Sequence, residues 1–217
     1  MKKKIVNEKP LIISYLTLRK AVGIIGTALP FVLSLGAWLI FQTGIQVSIS
    51  AYYYTGMRNV FVGALCAIGV FLLSYQGYER ADDIAGNLGC VFTVGVALFP
   101  TTPVNAPSST DRIVGTFHLI FAALFFLTLI YFSLFQFTKT NPNKRPTHRK
   151  KQRNIVYKVC GYIMAGCILL ILIYFLLPGE TEAILDNYNL LYWLETISIL
   201  AFGISWLTKG EALLKDS

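Results

Sequence analysis

The sequence predicts an all-α integral membrane protein: one domain over residues 1–217, a bundle of six transmembrane helices with both termini cytoplasmic. Three observations carry this. Of the 217 residues, 55% are hydrophobic and 14% charged, with a mean hydropathy of +0.59, too apolar a balance for an ordinary soluble domain. Six apolar runs, most of them long enough to cross a ~30 Å hydrocarbon layer, are separated by short polar stretches. With the amino terminus inside, every one of the 19 lysines and arginines except Arg58 and Arg112 falls on the same side, the bias that retention of positive charge produces. Topology therefore accounts for the net charge of +8, and no nucleic acid is expected as a partner.

In chain order, the basic start and the short apolar patch 11–18 make a poor signal peptide, because Arg19 and Lys20 follow where small residues would mark cleavage. The patch reads instead as an interfacial segment on the inner leaflet. Residues 21–41 carry no charge and form the first span, kinked at Pro30, with Trp38 at the far interface. Further spans are expected at about 60–78, 84–99, 113–137, 155–177 and 190–207. The third is the shortest and carries Asn87; Gly86, Gly89 and Gly95 let neighbouring backbones approach it closely. PTTPVNAPSSTDR, residues 100–112, reads as an irregular loop, and 138–154 as a basic, solvated cytoplasmic loop facing phospholipid. No internal repeat is evident. The four cysteines lie inside apolar runs with no CxxC pair and read as small buried hydrophobes.

Polar groups concentrate in the outer half. Arg58 heads the second span, while His118 and Glu195 each lie five residues into their spans from the outer side, roughly 7 to 8 Å below the boundary. Asp111, Gly115 and His118 form one helical stripe; Tyr188, Tyr192, Glu195 and Ile199 form another. Ser48, Ser50 and Tyr52, Tyr53 and Tyr54 occupy the first outer loop. An ionised glutamate within a span costs about 2.5 to 3.5 kcal/mol, so Glu195 should be neutral, wet or paired, with Arg58 and His118 as partners. Two readings follow: a polar clasp tying three helices, or a pocket open to the outer leaflet. In the pocket, Arg58, His118, Glu195, Tyr53, Tyr192 and Asp111 bind a lipid or small amphiphile, Arg58 fixing an anionic group. Ser50, His118 and Glu195 are the catalytic candidates if the same pocket transfers or hydrolyses lipid acyl or head groups. A small transporter or channel subunit is a further alternative.

No metal or cofactor is expected. The chain has two histidines, and His148 lies in the inner basic loop, away from His118, which rules out a three-histidine zinc site in one subunit. Glu79, Asp82 and Asp83 cap the third helix more simply than they bind a cation. Gly23 and Gly26, Gly63 and Ala67, Gly161 and Ala165 permit tight packing within the chain or between copies of a homo-oligomer.

The run VSISAYYYTGMRNVFVGALCAIGVFLLSYQGY, followed by AGNLG, GVALFPTTP and HLIFAALFF, resembles a group of uncharacterised bacterial integral membrane proteins of six helices. More distantly it is similar to the DRAM and GPI-lipid-remodelling proteins, whose first outer loop carries an Ile-Ser before an aromatic-rich helix; Ile49 and Ser50 match that pair. The resemblance spans about residues 47–137. It implies six helices, cytoplasmic ends and an outer loop that matters, and it carries over no catalytic residue. Membrane lipids are the expected partners and a bacterial inner (plasma) membrane the expected location.

Overall fold

The computed structural model describes residues 14–75, 79–140 and 146–215, the side chains of residues 182 and 183 apart. Among them every regular element is helical. They are α1 (Tyr15–Phe41), a 3-10 helix (Ser50–Tyr54), α2 (Arg58–Leu73), α3 (Arg80–Leu98), α4 (Ser109–Tyr131), a π turn (Phe132–Gln136), α5 (His148–Tyr174), α6 (Gly179–Asp186) and α7 (Leu190–Lys209). Five helices, α1, α3, α4 with its π turn, α5 and α7, are long and apolar enough to cross a membrane. The sixth apolar helix, α2, has 16 residues, about 24 Å.

The apolar runs were placed correctly by sequence, but the helix ends differ because polar residues extend helices instead of ending them. α1 begins at Tyr15 and runs unbroken through Pro30, so the part of the expected interfacial segment that is described is its first turn. Its Ser14 cap accepts from the Thr17 amide. α3 starts four residues early on a capping box in which Glu79 and Asp82 bond each other's backbone, which confirms the capping role expected of these acids. α4 starts on a Ser108–Asp111 box. α5 starts at His148 behind a Thr147 cap, so the second half of the basic loop is helix. α2 stops at Leu73, which makes it, and not α3 with 19 residues, the shortest of the six. α6 was not foreseen; it follows Pro178, which sets the chain for a helical start.

Successive helices pack side by side from α1 to α5, and α7 closes a ring by packing on both α5 and α1. Glycine governs the α1–α7 crossing. A Cβ on Gly203 would meet the Thr27 amide nitrogen at 2.8 Å and the Gly23 carbonyl oxygen at 3.0 Å, so the two backbones touch. Gly86 abuts the Leu72 carbonyl and Gly161 the Leu134 side chain, which assigns these small residues to packing within the chain, while Gly63 faces open space. Cys160 and Cys167 are buried, and Cys66 and Cys90 partly so, all four unlinked.

At the end where α1 starts and α7 finishes (the terminal end), Tyr75 packs edge to face on Phe132 and Trp206, as Phe137 does on Trp206, and Phe132 lies tilted against Trp206, with ring centroids 5.0 to 5.7 Å apart. Here too Lys139 holds buried Asp82 at 2.6 Å and Glu79 at 3.1 Å. Hydrogen bonding to Asp82, aided by Glu79 and opposed by partial burial, holds the Lys139 ammonium above the usual lysine range. A raised pKa means that the pair stabilises the fold fully below the ordinary lysine value of about 10.4 and loses that contribution as pH rises through the raised one. The thermal midpoint in detergent should therefore fall in Lys139→Met relative to wild type at pH 7 to 9, and the gap should narrow as the pH rises beyond the ordinary lysine value of about 10.4. A gap independent of pH would remove the ion pair as its cause.

Candidate functional site

The opposite end is organised by one carboxylate. Glu195, one turn and a half into α7, accepts the Ile49 amide on Oε2 at 2.5 Å, and the Ser50 amide is a second donor to it. These two N–H groups stand at the start of the 3-10 helix, where no partner within the helix exists, so a side chain from another element supplies the cap. Ser48 Oγ accepts the next amide, that of Ala51, at 3.0 Å. The Tyr192 amide donates to the Val47 carbonyl at 3.0 Å, so the loop between α1 and α2 is bound to α7 by main chain and side chain together.

Beside this junction lies a hydroxyl cluster that the sequence reading passed over. Ser34 donates to the Pro30 carbonyl at 2.7 Å and receives Tyr192 Oη at 2.6 Å and Tyr52 Oη at 3.2 Å. A serine within a helix can bond the carbonyl four residues before it, and the Pro30–Ser34 spacing was the available clue. Burial pushes the Tyr52 hydroxyl up, which keeps it a donor.

Between this junction and the bundle centre is a cavity of about 50 Å3. Its walls are apolar, chiefly Phe61, Leu65, Phe125, Phe126, Ile199 and Phe202, and Glu195 and Ser50 are its polar lining. At roughly 10 to 15 Å3 per water-sized group, it has room for about four such groups, enough for the tip of an alkyl chain and too little for a whole lipid.

The predicted site residues fall in three places. Glu195, Ser50 and Tyr192 belong to the junction. Arg58 is exposed, its guanidinium 4.1 Å from the Tyr53 ring centre and bonded to Tyr53 Oη. His118 is buried, with 2% exposure, and its Nδ1 donates to the Phe99 carbonyl at 2.7 Å, satisfying an acceptor at the end of α3. Asp111 is used by the α4 capping box. The stripe of Asp111, Gly115 and His118 exists, but it faces the loop after α3, where a Cβ on Gly115 would strike Thr102. In the other stripe, Tyr192, Glu195 and Ile199 face inward while Tyr188 stays exposed. Among the described residues no ion pair or hydrogen bond joins Glu195 to Arg58 or His118, nor Ser50 to His118, so neither the three-helix clasp nor the catalytic trio is assembled.

The chain matches no protein-family model, no curated protein and no solved structure.

Proposed function

We propose that the chain is a six-span protein of a bacterial inner membrane, with cytoplasmic ends, that seats part of a lipid or small amphiphile in the cavity beside Glu195. The one-sided lysine and arginine distribution supports the orientation. The short α2 crosses by local thinning of the bilayer, with Arg58 reaching up to the head groups from its outer end. The cavity carries the binding reading: apolar walls accept an alkyl segment, and the rim of Ser50 and Glu195 offers a hydrogen-bonding partner to a hydroxyl or ammonium at its head. Membrane lipids are thus the partner class.

Native mass spectrometry of the gently purified protein tests this. Wild type should carry an added amphiphile mass. Leu65→Trp, which fills the cavity, should lose it, and Glu195→Gln should keep it at lower occupancy. Equal added mass on wild type and Leu65→Trp would place the amphiphile elsewhere and end the proposal.

A further inference from the structure

The terminal end holds an excess of positive charge and of unmet hydrogen-bond donors. Trp206 is 1% exposed, and its indole N–H has no acceptor among the described residues; the same is true of Arg19 Nε. Both residues line a small pocket between α1, α2 and α7, together with Tyr15, Ser74 and Tyr75. Its volume, about 10 Å3, admits one water-sized group. Two donors around a space for a single atom call for an acceptor oxygen.

Charge decides between water and an anion. Lys209, the last residue of α7, has no carboxylate within ion-pair distance among the described residues. It lies 5.2 Å from the centre of the Phe137 ring and within electrostatic range of Arg19, Lys150 and Arg153, with Asp82 also in range. Of the acids at this end, Asp82 and Glu79 hold Lys139, Glu211 pairs with Arg153 at 3.3 Å, and Asp83 lies within electrostatic range of Tyr15 in the pocket wall, so the cations Arg19, Lys20, Lys139, Lys150, Arg153 and Lys209 still outnumber them. Gly210 packs on the backbone of Arg19 and Lys20, which fixes the end of α7 against the start of α1. A water would satisfy the donors and leave the excess of positive charge in place, whereas a phosphate answers both.

We propose that the terminal end binds a phosphate-bearing anion, one oxygen seated in the pocket between Arg19 and Trp206 and the remaining charge met by Lys209. Basic pockets between membrane helices at the cytoplasmic side are suited to such groups, whether on a lipid or free.

The full chain in maltoside micelles is titrated with dihexanoyl-phosphatidylglycerol, dihexanoyl-phosphatidylcholine and inorganic phosphate, and the thermal midpoint is followed. Phosphatidylglycerol should raise it saturably. Arg19→Gln and Lys209→Gln should each weaken apparent affinity about tenfold, and Trp206→Phe, which keeps the packing and deletes the donor, about fivefold. A response to phosphatidylglycerol alone assigns a lipid head group; the same variant pattern with inorganic phosphate assigns the free ion. Should Trp206→Phe not fold, Lys209→Gln decides. No saturable shift with either anion (a water only), an equal shift with phosphatidylcholine, or variants that bind as wild type does would overturn the site.

Discussion

Gly203→Val lowers the stability of the folded protein by about 2 to 3 kcal/mol, read from unfolding in detergent, and Gly63→Val changes it by less than about 0.5. The new Cβ at position 203 meets backbone, the Thr27 nitrogen and the Gly23 oxygen, so no rotamer change can relieve it and α1 and α7 must move apart. Overpacking costs typically 1 to 3 kcal/mol, and an unyielding backbone neighbour puts this site at the upper end. The better helix propensity of valine returns only a few tenths of a kcal/mol. Gly63 has open space around it, so it serves as the control for helix propensity alone. A shift in subunit number with Gly63→Val would show that its face packs against another copy. Equal stability losses at the two positions would mean that the α1–α7 crossing is looser than described.

Glu195→Ala costs about 3 kcal/mol, and Glu195→Gln about 1. The first strands two amides, each carrying a desolvation penalty of about 1 to 3 kcal/mol if left unmet; the second keeps an acceptor oxygen in place. Because the lost bonds belong to the loop between α1 and α2, amide exchange over residues 44–57 should accelerate in Glu195→Ala ahead of exchange in α2 or α3. Arg58→Ala, by contrast, removes an exposed side chain stacked on Tyr53 and changes stability by less than about 0.5 kcal/mol. Similar losses from Glu195→Ala and Arg58→Ala would restore the three-helix clasp, which is not formed among the described residues.

The apolar helices were legible because uncharged runs of this length match the thickness of a hydrocarbon layer. Their ends were not, because hydropathy falls at the first charged residue while the helix continues wherever that residue can cap it or tolerate helical geometry, as at Arg80, Ser109 and His148. At the site, counting residues gave depth, and depth put His118 and Glu195 at one level. Direction around the helix axis decides contact, and sequence did not supply it: α4 and α7 are not neighbours in the ring, and His118 turns to the loop after α3. Glu195 stands out in the sequence as an acid in an apolar run, in need of a partner. Its partners proved to be main-chain amides of Ile49 and Ser50, groups every residue owns and no motif advertises. Ile49 and Ser50 are also the pair on which the resemblance rested.

The closed ring has a consequence for biogenesis. Five helices can find a neighbour in the order in which a ribosome delivers them, but the glycine face of α1 waits for α7. Until α7 is made, that face has no partner, and Ile49 and Ser50 have no carboxylate to hold them. Chains arrested before Leu190 should therefore be cut by protease over residues 44–57 faster than chains released after Lys209.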